Sequence, residues 1–200
     1  MASHKIAFYN WILPAEGGYG NDPKDPGNWC GNVNYGTHKG LSAAAFNSIY
    51  GRCPSSIEEL KQVSESQGEN IFKWHYWDKL HLDQMQSQEL ANILSDWIYN
   101  GGPAIEWMIA HGGPGDWKKI ISTLNAKDPK ALIQSVLKER EKYYRYLATA
   151  FPQKYAGFLR GWLNRLDRFR AGMVASGKSG KSILPFIAFA FLWLVRKRSE

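Results

Sequence analysis

Residues 17–41 constrain this 200-residue chain more than any other stretch. They are rich in Gly, Pro and Asn, with isolated aromatics, and lie between two runs of helical apolar spacing. Those three residue types favour turns, so neither a long helix nor a long strand crosses the segment. Before it, residues 5–16 place Phe8, Ile12 and Ala15 on one face, which predicts a helix. Gly17 can adopt the left-handed conformation that closes such a helix. The segment itself reads as a loop leading into a small irregular β-hairpin. Val33-Asn34-Tyr35-Gly36-Thr37 is its best strand.

The junction carries the first chemical signal. Glu16 falls in the last helical turn, where the helix dipole places partial negative charge. Dipole and apolar neighbours both raise a carboxyl pKa there, and a carboxyl protonated near neutrality can act as a general acid. Asp22 and Asp25 follow in a Pro- and Gly-rich loop, where carboxylates are solvated and ionised. Two carboxyls in contrasting environments are the minimum equipment of glycoside hydrolysis. The same residues also suit an ordinary helix end followed by Asp-Pro turns.

The remainder reads as helical. Leu41-Ser42 opens a helix through Ala43, Phe46 and Ile49, and Ser56-x-x-Glu59 reads as a capping box. A short aromatic helix is expected over residues 71–77. An amphipathic one follows over 87–99, through Leu90, Ile93, Leu94, Trp97 and Ile98. Shorter helices are expected over 104–111 and 116–124. Asp128-Pro129 caps a helix to about residue 150, Phe151-Pro152 breaks it, and residues 155–174 form the last helix of the body. The fold class is therefore mainly α: a helical domain with a small β-hairpin after the first helix, plus a C-terminal hydrophobic helix.

Nine Trp and ten Tyr are many for this length. They are core material first, but sugar rings also stack on them. The net charge of +7 is uneven: residues 178–200 contribute +4 and the rest only +3. The body is nearly balanced, so the basic pI need not mean nucleic acid, and an anionic wall or membrane surface is at least as good a partner. The two cysteines, Cys30 and Cys53, are too few for a disulfide framework or a zinc site, and no Sec signal peptide is evident. The expectation is synthesis in a reducing cytoplasm with both thiols free.

Several stretches together resemble glycoside hydrolase family 108, the N-acetylmuramidases of phages, prophages and some bacteria. Glu16-Gly17-Gly18-Tyr19 and Asn21-Asp22-Pro23-Lys24-Asp25-Pro26-Gly27 are similar to the family's opening motif and loop. Tyr76-Trp77-Asp78 resembles its Tyr-Trp-Asp. The segment 95–104, including Asp96, Asn100 and Gly102, resembles the start of its C-terminal peptidoglycan-binding region. Arg140-x-x-x-Tyr144 and residues 158–165 resemble its closing helices. The resemblance implies a lysozyme-like fold, with residues 1–94 catalytic, 95–175 a helical peptidoglycan-binding region, 176–182 a linker and 183–200 a tail.

It also implies roles. Glu16 and Asp25 would be catalytic, and Asp22, Cys30 and Tyr35 would lie against substrate, with Asp22 the alternative second carboxylate. The sequence departs from the family at Asn28, where a Gly is usual, and at Cys30, which falls on a usual Thr. If that Thr orients the attacking water, a thiol is a weaker substitute, and a nucleophilic Cys30 is a further alternative. No cofactor is implied.

Other motifs dissolve on inspection. The Asp-rich loop lacks the spacing and closing Glu of a Ca²⁺-binding EF-hand. The five His show no metal-ligand pattern, and Ser-Gly-Lys-Ser-Gly-Lys-Ser after residue 175 fits a linker better than a phosphate loop. Residues 183–195 are apolar, uncharged and flanked by basic residues. They are short for a full span but suited to membrane association, with packing on the body as the alternative. The sequence thus points to a muramidase cleaving the β-1,4 bond between N-acetylmuramic acid and N-acetylglucosamine, membrane-associated and acting on the wall. The rival readings are a catalytically weak peptidoglycan-binding or assembly protein and a holin-type lysis protein.

Overall fold

The computed structural model describes residues 1–15 and 18–178, with Ala15 and residues 173–178 described for backbone only. The expected general acid Glu16 and the apolar run 183–195 lie outside the described residues. Met1–Leu159 form one compact unit, and the described residues from Arg160 onward fall in a second.

The first helix, α1, occupies residues 4–15 but is not uniform. It is α-helical over His4–Ala7, widens to a π turn over Phe8–Ile12 and tightens to a 3-10 turn over Leu13–Ala15. The Leu13 N–H donates to the Phe8 carbonyl, the five-residue closure of a π-bulge. Ala7, Phe8 and Ile12 are buried.

The expected single hairpin is two. Strand β1 (Trp29–Cys30) pairs antiparallel with β2 (Val33–Asn34), and β3 (Thr37–His38) pairs with β4 (Leu41–Ser42). Gly36 separates them because it sits at φ +83°, a conformation that ends a strand. A Cβ there would also meet the Gly20 carbonyl and the Tyr19 ring.

Helix α2 (Ala43–Tyr50) is capped by the Ser42 hydroxyl, which accepts from the Ala45 N–H, and ends at left-handed Gly51. Helix α3 (Ile57–Lys61) has the expected Ser56 cap but only half the box. Glu59 turns instead to Arg52 and Ser55, which hold its carboxyl down at about 2. The reciprocal box forms at Ser64 and Gln67, opening α4. That helix is α over Glu65–Phe72, π over Lys73–Trp77 and 3-10 over Asp78–Leu80. The wide turn brings residues five apart onto one face, and Phe72 and Trp77 are both fully buried.

Helix α5 (Gln88–Tyr99), capped by Ser87, is the centre of the first unit. It packs against both α1 and the long α8 (Pro129–Ala150). The sequence predicts an amphipathic helix, but residues 90–97 are all buried, because neighbours cover it on every side. Helices α6 (Ala104–Gly112) and α7 (Trp117–Asn125) form a pair between α5 and α8 in the chain, and Gly112 lets the Ile120 backbone approach. The turn α9 (Pro152–Tyr155) follows Phe151. Helix α10 (Leu159–Lys178) runs past residue 175, where the sequence predicts a linker, and carries an Arg170–Asp167 ion pair one turn apart.

Candidate active site

The candidate site follows the C-terminal end of α1 in the chain and comprises the loop after residue 17 and the two hairpins. Helix α1 is clamped from both sides. At its start, the Ala2 N–H donates to the Met85 carbonyl, and Ser3 exchanges two hydrogen bonds with the Gln88 amide at 2.6 and 3.0 Å. On its flank, the buried Glu69 of α4 accepts from the Tyr9 hydroxyl at 2.9 Å and from His4 Nε2 at 3.0 Å. Burial pushes the Glu69 carboxyl up, but the bonds from Tyr9 and His4 and the charge of Lys5 together hold it below the ordinary range. The Tyr9 hydroxyl is pushed up by the same bond. Gly68 leaves room for the Phe8 ring, 3.2 Å from where a Cβ would sit. The described part of α1 ends at Ala15, the residue before Glu16 in the chain.

The acidic loop is organised by Asn28, which the sequence marks only as a departure. Its side-chain Nδ2 donates to the Asp22 carbonyl at 2.9 Å, and its Oδ1 accepts from the Thr37 hydroxyl at 2.6 Å. Its own N–H donates to the Asp25 carbonyl, and its carbonyl accepts from the Tyr35 and Gly36 N–H groups. It is 3% exposed. One buried amide thus joins the acidic loop to both hairpins. Gly20 and Thr37 close the ring with a reciprocal backbone pair at 2.9 and 2.7 Å. Trp29 Nε1 donates to the Pro23 carbonyl and Asn34 Nδ2 to that of Asn21. No local periodicity identifies Asn28, because three of its partners lie seven to nine residues on in the chain.

Within this frame both loop carboxylates are exposed, as the loop composition predicts. Asp25 Oδ1 accepts from the Gly27 N–H at 2.8 Å and caps the 3-10 turn Pro26–Asn28. Asp22 Oδ1 accepts from the Lys24 N–H at 2.9 Å. Each carboxylate is therefore oriented by its own turn. Tyr19 lies under the Lys61 ammonium, 4.3 Å from the ring centre. Tyr35 is half-buried and packs on the cluster of Leu41, Phe46, Leu60, Val63 and Ile71.

The expectation of two free thiols is corrected. Cys30 and Cys53 form a disulfide, with their Cα atoms 5.6 Å apart. Hairpin strand β1 lies against α2, and this brings together two residues 23 apart in sequence. A buried sulfur in a disulfide neither holds a water as a thiol nor serves as a resting nucleophile, so both readings of Cys30 fall. Among the described residues, no group of three His, Cys, Asp or Glu is arranged to hold a metal.

Two stretches noted in the sequence meet away from this loop. Asp96 of α5 and Arg140 of α8 form an ion pair at 2.8 Å, with side chains 1% and 0% exposed. Arg140 also donates to the Ile93 carbonyl and the Tyr144 hydroxyl. Such burial leaves no path to substrate, so this pair joins helices rather than doing chemistry.

The family model described as Glycosyl hydrolase 108 matches residues 9–102, from within α1 to just past α5. The fold is similar to that of SagA from Brucella abortus, with TM-score 0.69 and 22% identity, over 88% of this chain and 97% of that one. A comparison with curated proteins finds no match.

Proposed function

We propose, from the match of residues 9–102 to the glycosyl hydrolase 108 family, that the protein hydrolyses peptidoglycan, at the β-1,4 bond between N-acetylmuramic acid and N-acetylglucosamine. The observation that carries the reading is the solvent-facing Asp25 carboxylate, oriented by its turn and fixed through Asn28 to the hairpins. In this reading Glu16 protonates the glycosidic oxygen as its bond to C1 breaks. Asp25 faces the positive charge that develops at C1, with Asp22 three residues away as the alternative. A water then adds to C1 and gives up a proton to a carboxylate, completing the hydrolysis. Residues 1–94 supply this chemistry, and residues 95–175 engage the polymer beyond the reacting bond.

The disulfide supports action outside the reducing cytoplasm, where the wall polymer lies. Among the described residues no helix is long and apolar enough to cross a membrane. We assign membrane association to residues 183–195 on their sequence alone.

The test is loss of turbidity of purified cell walls. The full chain clears them and Glu16→Gln does not. A protein that co-sediments with walls and never clears them is a binder, and the muramidase reading is then wrong.

A further inference from the structure

The first unit has a second concave surface, away from the acidic loop in the chain. Helices α6 and α8 and the end of α5 enclose a groove of about 460 Å³. Trp97, Trp107, Tyr143 and Tyr146 all contribute to its lining. Tyr146 is 61% exposed and its ring meets the exposed Phe151 edge-on, so the aromatic surface continues beyond the groove.

Its charges are unequal. Glu139 is already paired with Lys142 at 3.2 Å. Glu106 is exposed and forms no ion pair among the described residues. It is near enough to Tyr143 to add to the rise of that phenol's pKa, which burial dominates. The groove therefore presents aromatic side chains beside one carboxylate that forms no ion pair among the described residues. Rings attract a cation through their quadrupole, and a carboxylate attracts it through its charge. Among the described residues, the indole N–H groups of Trp97 and Trp107 are buried without an acceptor.

We propose that this groove binds a peptide bearing a free primary amine, the ammonium lying between Glu106 and the Tyr143 and Tyr146 rings. A neutral glycan has no group that uses the carboxylate in this way. The proposal rests on the muramidase reading only for its source: peptidoglycan carries peptides with free amines. The groove would then hold the peptide part of the polymer while the acidic loop handles the sugar part.

The test is fluorescence anisotropy of the full-length protein with an Ala-Ala-Lys-Ala probe whose N-terminal amine carries the dye, compared with the same probe acetylated on its lysine amine. The free-amine probe binds, and acetylation weakens binding roughly fivefold, the scale of one cation–π contact plus one exposed charge pair. Glu106→Gln and Tyr143→Ala each weaken the free-amine probe by a similar factor. Should Tyr143→Ala not fold, Tyr146→Ala replaces it, since that side chain is largely exposed. Equal binding of both probes, or binding unaffected by Glu106→Gln, overturns the proposal. Walls that are never hydrolysed by a protein that does bind the probe refute the muramidase reading and leave this one standing.

Discussion

Removing the Asn28 side chain tests the logic of the acidic loop most directly. Asn28→Ala deletes two hydrogen bonds, to the Asp22 carbonyl at 2.9 Å and from the Thr37 hydroxyl at 2.6 Å. Thr37 is only half-buried and Asp22 is exposed, so both partners can turn to water. The cost is then the net value of each bond, about 1 kcal/mol, rather than the full penalty of an orphaned group. A loss of about 2 kcal/mol follows, and for a chain of this size that lowers Tm by roughly 4–8 °C. A double-mutant cycle with Thr37→Val isolates the shorter bond, with an expected coupling of about 1 kcal/mol. The chain stays folded at assay temperature, yet wall clearing falls because the Asp25 turn is no longer fixed to β3. Coupling within the ~0.3–0.5 kcal/mol of independent sites, or full clearing by Asn28→Ala, would refute the claim that this amide positions the loop.

Further outcomes are expected. Glu16→Gln lowers clearing by ~10²–10⁴-fold with an unchanged circular dichroism spectrum; Asp25→Asn costs less than that but more than Asp22→Asn, and the reverse order would exchange the two roles. Cys53→Ala opens a loop whose closure is worth about 3 kcal/mol, so Tm drops by roughly 6–12 °C and the parent loses the same amount on reduction; an unaltered melting curve in reductant would contradict the disulfide. Because folding depresses the Glu69 carboxyl, its contribution is present above the unfolded value of about 4.3 and is lost as pH falls through the folded value; melting curves of the parent and Glu69→Gln should differ near neutrality and converge in acid. Truncation after Gly177 releases the protein from the membrane fraction and leaves clearing intact, whereas a full-length chain found wholly soluble at low salt removes the anchor.

What the sequence made legible follows from how far each interaction reaches. Ser87, Asp116 and Asp128 cap their helices through N–H groups two or three residues on, so those helix starts follow from local chemistry. The order of one helix, a small β region and then helices was readable for the same reason, from turn residues and apolar spacing. The π turns were not, because they depend on Phe8, Ile12, Phe72 and Trp77 all finding places in one core. Asp96 and Arg140 stood out in two separate stretches, but their pairing is a fact about α5 and α8 packing together, 44 residues apart.

The candidate site shows the same boundary at closer range. Asp22 and Asp25 are loop carboxylates held by their own turns, and turn chemistry announces them. The parts that hold those turns in place come from farther along the chain. Asn28 looked like a missing glycine, and Cys30 like a missing threonine. In the fold, Thr37 supplies a hydroxyl to Asn28, and Cys53 supplies a covalent tie to β1. Both departures therefore act as fastenings between the loop and the elements around it. A disulfide closed beside the acidic loop also bears on where the protein works, since such bonds persist mainly in oxidising surroundings. A wall polymer outside the cytoplasm satisfies that condition, and the covalent chemistry of the fold and the proposed substrate then call for the same compartment.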